Sequence, residues 1–176
     1  MTHTPIFDVQ SRSLAVDFMR RHPFATLITT NHNSPVASHL PFLIKESADH
    51  LKLYSYLSKT NSQWKHLEFE EALVIFQRTL VQNRDLTVPT SSAEGDYFSL
   101  HAYGDCNIIR EQNSVNDLLK MILEKFDQNC FQRWQSLSSD AREDLSNGLI
   151  VFEFKVSDLK HQEMVCHSQI MLEICS

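Results

Sequence analysis

Seven consecutive residues, Ser58, Lys59, Thr60, Asn61, Ser62, Gln63 and Trp64, concentrate more hydrogen-bonding side chains than any comparable stretch of this chain. They follow a strand-like run, Leu51 to Leu57, and precede a renewed apolar beat at Trp64 and Leu67. Asn61 is placed to cap a short helix opening at Ser62, where unpaired backbone N–H groups carry partial positive charge. Lys59 adds a full charge, and the hydroxyls of Ser58 and Thr60 complete a set of donors suited to an anion. The plainer alternative is a helix cap beside a solvated lysine. A second candidate is His39 in "ASHLP", a histidine inside a strand, followed by Leu40 and Pro41. Pro41 removes a ladder donor, which fits a sheet edge or a place where a ligand meets the backbone. His101 has no companion at metal-ligand spacing, and the nine histidines form neither HExxH nor HxH, so no metal site is expected. The acidic residues Glu68, Glu70 and Glu71 read as a solvated helix end.

Composition narrows the chemistry. Gly95, Gly104 and Gly148 are the only glycines in 176 residues, so neither GxGxxG nor a P-loop can be written. A phosphate-bearing ligand must then be held by side chains and a helix N-terminus. The formal net charge of −6 argues against unaided binding to nucleic-acid phosphates, and neither a helix-turn-helix nor a basic face is legible. Cys106, Cys130, Cys166 and Cys175 form no CxxC pair and no secretory signal precedes them, which predicts reduced thiols in the cytoplasm. No apolar run reaches the roughly 20 residues of a membrane span.

The elements that position these residues are mostly strands. "FATLITT" (24–30), "VASHLPFLI" (36–44), "LKLYSYL" (51–57), "ALVIFQ" (72–77), "YFSLHAYGDCNII" (97–109) and "LIVFEFKV" (149–156) carry β-branched, aromatic or alternating apolar patterns. "NHNSP" (31–35) predicts a hairpin turn, and Gly104 a bulge. Leu51, Leu53, Ser55 and Leu57 fall on one face of their strand. A first helix starts at Ser11 or Ser13 and ends before Pro23. A stronger one spans 114–127, capped by Ser114 with Asp117, its stripe formed by Val115, Leu118, Leu119, Ile122, Leu123 and Phe126. A looser helical stretch covers 131–146. Consecutive strands with few helices between them predict a mainly β fold with flanking helices and an antiparallel barrel, not a βαβ nucleotide fold. The expected division is a barrel domain over 1–160 and a C-terminal tail over 161–176 that completes a dimer. Residues 78–92 are the main irregular piece.

The segments "FATLIT", "PVASHLP", "NSQWK", "LVIFQ", "VPT", "HAYG" and "GLIVFEFKV", in this order, resemble the PaiB family of FMN-binding negative transcriptional regulators. The resemblance covers about residues 5 to 160 and implies an FMN-binding split β-barrel, a homodimer with flavin at the subunit interface. It implies His39, Leu40 and Pro41 beside the isoalloxazine, and Asn61, Gln63 and Trp64 at the phosphate end. Ser58, Lys59 and Thr60 suit the phosphate chemically, and Gln77, closing "LVIFQ", is a further candidate. The function implied is a flavin-dependent or redox-linked regulator, with DNA as a weaker partner and oxidoreductase-like activity open. In place of the aromatic "GPHAYISPSWY" common in the family stands "RTLVQNRDLT", and "EMVCHSQ" replaces a "KLSQN"-like motif. These departures define the alternative: a degenerate barrel without flavin that acts as a dimeric interaction module.

Overall fold

The computed structural model describes residues 9–47, 50–80 and 96–164. Helix α1 (Val9–Arg21) leads into β1 (Phe24–Asn31), β2 (Ser34–Pro41), β3 (Leu43–Glu46) and β4 (Leu51–Ser58). A 3-10 helix (Ser62–His66), β5 (Ala72–Leu80) and β6 (Asp96–Ile108) follow, then helices α2 (Gln112–Phe126), α3 (Gln128–Ser136) and α4 (Ser139–Asn147), and finally β7 (Leu149–Met164). The seven strands form one sheet in the order β2-β1-β5-β6-β7-β4-β3. All its pairings are antiparallel.

That order forces closure. Strands β2 and β3 lie at opposite edges of the sheet, yet only Phe42 separates them in sequence. The edges must therefore come together, and the sheet curls into a barrel. The predicted single strand over 36–44 is thus two strands. Pro41 lacks an N–H with which to continue the ladder, and Phe42 turns inward, its N–H donating to the Pro23 carbonyl at 2.8 Å. The Phe42 ring is fully buried against Phe76 and Phe152. Ser55 Oγ on β4 donates to the Pro41 carbonyl at 2.7 Å and stitches the seam.

Inward residues fill the barrel as their alternation predicts: Leu51, Leu53, Ser55 and Leu57 are all buried. Ala15, Val16 and Met19 of α1 join this core. The expected caps at Ser11 and Ser13 lie inside α1. Helix α2 presents Val115, Leu118, Leu119 and Ile122 inward and forms a second cluster with Trp134 and Val151 outside the barrel. Its cap is Glu111, not Ser114: the carboxylate accepts from the N–H groups of Asn113 (2.9 Å) and Ser114 (2.6 Å). The loose stretch over 131–146 resolves into α3 and α4, separated where Leu137 turns extended. The predicted hairpin turn uses His32 (φ 47°) and Asn33 (φ 65°) in the left-handed region, positions a glycine-richer chain would often give to glycine. The predicted bulge is present as a register shift between Tyr103 and Gly104. Strand β7 runs to Met164, past the anticipated boundary at 160. The irregular piece over 78–92 begins as strand, since residues 78–80 continue β5; residues 81–95 and the tail from 165 fall outside the described residues.

Candidate functional site

The turn after β4 is held by its own side chains. Asn61 caps the 3-10 helix, its Oδ1 accepting from Gln63 N–H at 3.0 Å. Ser58 Oγ accepts from Thr60 N–H at 3.2 Å and shares a 2.7 Å hydrogen bond with Thr60 Oγ1. Trp64 Nε1 donates to the Lys59 carbonyl at 3.1 Å, and Lys59 N–H donates to the Gly148 carbonyl at 2.9 Å. The turn is therefore pinned to the start of β7. Ser58, Lys59 and Thr60 are exposed, and no ion pair to Lys59 occurs among the described residues.

Gln63 points the other way. It is fully buried, and its Nε2 donates to Val36 O (3.0 Å), Thr29 Oγ1 (3.2 Å) and Leu27 O (3.3 Å). These bonds fasten the 3-10 helix to β1 and β2. Its part in any anion site is to place the turn, since its amide is turned away from solvent.

The second predicted segment meets the first directly. Asn61 Nδ2 donates to Ser38 Oγ at 2.9 Å, next to His39. Along β2, Leu40 packs against the core and Pro41 is half-buried, while His39 is exposed and bonds through Nδ1 to Thr26 Oγ1 at 2.9 Å. Register extends this into a row across five strands on the outer face: His39, Thr26, Ile75, His101 and Lys160. Ala37, Ile28, Leu73, Tyr103 and Asp158 form the row beside it. Gln77, two residues from Ile75, lies on the same face and is exposed. Burial, aided by the nearby Lys160 charge, lowers the His101 pKa and favours its neutral imidazole.

Sequence reasoning missed four residues. Ser38 and Thr26 orient the candidates through the bonds just given. Glu68, read as a solvated acid, instead clamps the far end of β6: it accepts from Ile108 N–H (2.9 Å) and from Arg110 Nη1 (3.0 Å) and Nη2 (2.5 Å). The Arg110 hydrogen bonds hold its carboxyl below the usual range. A pair 42 residues apart leaves no local signal. Arg110 and Lys59 line one cleft of about 260 Å³ between the barrel and the helices.

Residues 1–158 match the family described as "Putative FMN-binding domain". The chain belongs to this family. It is also 28% identical over 163 residues to protease synthase and sporulation protein PAI 2 of Bacillus subtilis (strain 168), covering 88% of this chain and 76% of that protein. Among solved structures, the flavocytochrome Anf3 of Azotobacter vinelandii superposes with a TM-score of 0.64 at 10% identity, covering 93% of this chain and 75% of that one. The FAD and heme binding protein of Mycobacterium smegmatis gives 0.62 at 15%, covering 89% and 72%. The fold is the antiparallel split barrel of this FMN-binding family, and the kinship with PaiB stands. No helix among the described residues is long and apolar enough to cross a membrane.

The residues present fit the phosphate end of such a cofactor. An ammonium without an ion pair among the described residues and two hydroxyls belong to a turn whose backbone bonds are already made, as phosphate recognition without glycine requires.

Proposed function

We propose that this chain binds FMN, with the phosphate at Ser58, Lys59 and Thr60 and the flavin ring along β2 at His39, and that it works as a homodimeric, redox-linked regulator in the cytoplasm. The observation carrying the reading is the Asn61–Ser38 hydrogen bond, which joins the anion-seeking turn to the strand bearing His39. Asn61 and Gln63 position the turn, Trp64 braces it through Lys59 O, and Leu40 and Pro41 fix the path of β2. Gln77 faces the same side as His39 from β5. When bound, flavin supplies hydride and single-electron chemistry. The protein's part is to hold it and, through the Thr26 bond, to orient the His39 ring at its edge. The outer face carrying half-buried Ile28, Leu73, Ile75 and Tyr103 is the surface we assign to the second subunit. Regulation rests on the kinship with PAI 2, whose name concerns protease synthesis and sporulation.

The test compares FMN with riboflavin, which lacks the phosphate. Charge-assisted hydrogen bonds contribute roughly 1.5–3 kcal/mol. Lys59→Ala should therefore weaken FMN about ten- to a hundredfold and leave riboflavin nearly unchanged. Equal loss for both ligands would remove Lys59 from the phosphate site. Purified protein with no flavin absorbance, and no uptake of either ligand, would instead favour the flavin-free interaction module.

A further inference from the structure

The cleft behind the turn is walled by Lys59 and Trp64 on one side and by Ile108, Arg110, Val115 and Ile150 on the others. Its rims are fixed. Lys59 N–H is tied to Gly148 O and Ile109 N–H to Val151 O, both at 2.9 Å. Gln112 Nε2 donates to Ser146 Oγ at 2.7 Å and spaces α2 from α4. The indole is held by its bond to Lys59 O. These four hydrogen bonds join the elements that wall the cleft.

Its charge is as specific as its shape. No aspartate or glutamate lines it, the Arg110 charge is matched by Glu68, and Lys59 has no such counterpart among the described residues. The cleft therefore offers a mixed wall, apolar at Trp64, Val115 and Ile150 and polar at Gln112, Ser146 and Asn147, with a net single positive charge. At about 260 Å³ it lies just below the roughly 300–1,000 Å³ of pockets that enclose drug-sized ligands, a size suited to a small molecule.

We infer that the cleft binds a small organic carboxylate, a monoanion with a single ring or a branched aliphatic body. The carboxylate meets the Lys59 ammonium beside Arg110, and the body lies against Trp64, Val115 and Ile150. This site is distinct from the β2 face assigned to the flavin ring and shares only Lys59 with the proposed phosphate site.

The probe is phenylacetate, compared with uncharged phenylacetamide, titrated into the full chain and followed by amide chemical shifts. Saturable shifts at residues 108–112 and 146–150 are expected, with the amide binding at least about tenfold more weakly because it forfeits a charge-assisted contact. Lys59→Met should weaken phenylacetate about tenfold, and Asn147→Trp, at the cleft's exposed edge, should block it. Both positions are exposed, and an unchanged thermal midpoint verifies folding. Riboflavin, which carries the ring without the phosphate, should leave phenylacetate binding unchanged. Absence of saturable shifts, equal binding of the amide, indifference to both substitutions, or displacement by riboflavin would each overturn the proposal. FMN is kept out of these titrations because it competes for Lys59 under the preceding reading, so the two readings fail separately.

Discussion

Replacing Gln63 by glutamate changes one terminal group and inverts its role. The Nε2 of Gln63 donates to two backbone carbonyls, Leu27 O and Val36 O, which can only accept, so the amide nitrogen must face them. Its Oε1 is buried with no partner among the described residues. A carboxylate here would set negative charge against two carbonyl oxygens at a fully buried position. Burial without a cation raises a carboxyl pKa, by up to 3–5 units. Taking about 3 units above an unfolded value near 4.3, which puts the folded pKa just above 7, the substitution costs about 3.4 kcal/mol of stability at pH 7 through this shift. The folded state then holds the proton more tightly than the unfolded state, so stability falls as pH rises between the two pKa values. The deficit against wild type should shrink by at most about 1.4 kcal/mol per unit on acidification, or about 2.4 kcal/mol between pH 7 and pH 5. Gln63→Leu also removes the donors but introduces no charge, so its cost should be smaller and independent of pH. Urea unfolding of the three proteins at both pH values measures these differences. A Gln63→Glu deficit that is equal at pH 7 and pH 5 would refute the reasoning, because it would mean that the side chain reaches water.

Gly104→Ala should cost about 1–3 kcal/mol in urea unfolding, since a Cβ would collide with the Lys155 carbonyl across the bulge and β7 would have to shift; an unchanged midpoint would deny the close approach. Glu68→Gln should lower stability at pH 7, with the difference from wild type closing as pH falls through the folded carboxyl pKa, because a depressed pKa contributes only while the group is ionised. Tyr54 is pushed up to about 12 by burial and by its 2.8 Å hydrogen bond to Glu153, so its ring should stay protonated between pH 10 and 11, where ordinary tyrosines ionise. NMR of labelled tyrosine, with Tyr54→Phe to assign the signal, measures this directly.

What the sequence disclosed was local. The alternation of Leu51, Leu53, Ser55 and Leu57 gave the inward face of β4, and the stripe of α2 gave its buried side, because each periodicity is written within a dozen residues. Asn61 was legible as a cap because capping is an interaction over two residues. The break at Phe42 was not, since it is decided by which distant strands its two flanks join. Gln63 was assigned to a ligand by resemblance, but its alternation with Asn61 and its reach to β1 and β2 turn it into the barrel's interior. Glu68 and Arg110 find each other only once β6 ends beside the turn that leads into β5.

The crowding of polar residues after β4 can now be divided between structure and chemistry. Positive φ among non-glycine residues occurs only at His32 and Asn33 within the described chain, so the turn over 58–61 needs no glycine. It needs partners for its backbone. Ser58 Oγ receives Thr60 N–H, Ser58 O receives Asn61 N–H, Asn61 Oδ1 receives Gln63 N–H and Lys59 O receives the Trp64 indole. Three of the seven residues, Ser58, Asn61 and Trp64, thus use their side chains to hold the turn, and a helix cap accounts for them. It does not account for Lys59. The Lys59 side chain forms no ion pair among the described residues, and Lys59 lines a cleft that no acid lines, in the same turn as a pair of hydroxyls joined to each other. A solvated lysine could occupy many places on this surface. On the proposed reading, one in the same turn as two hydroxyls, on a turn fixed at both ends, would give an anion a counter-charge already in position.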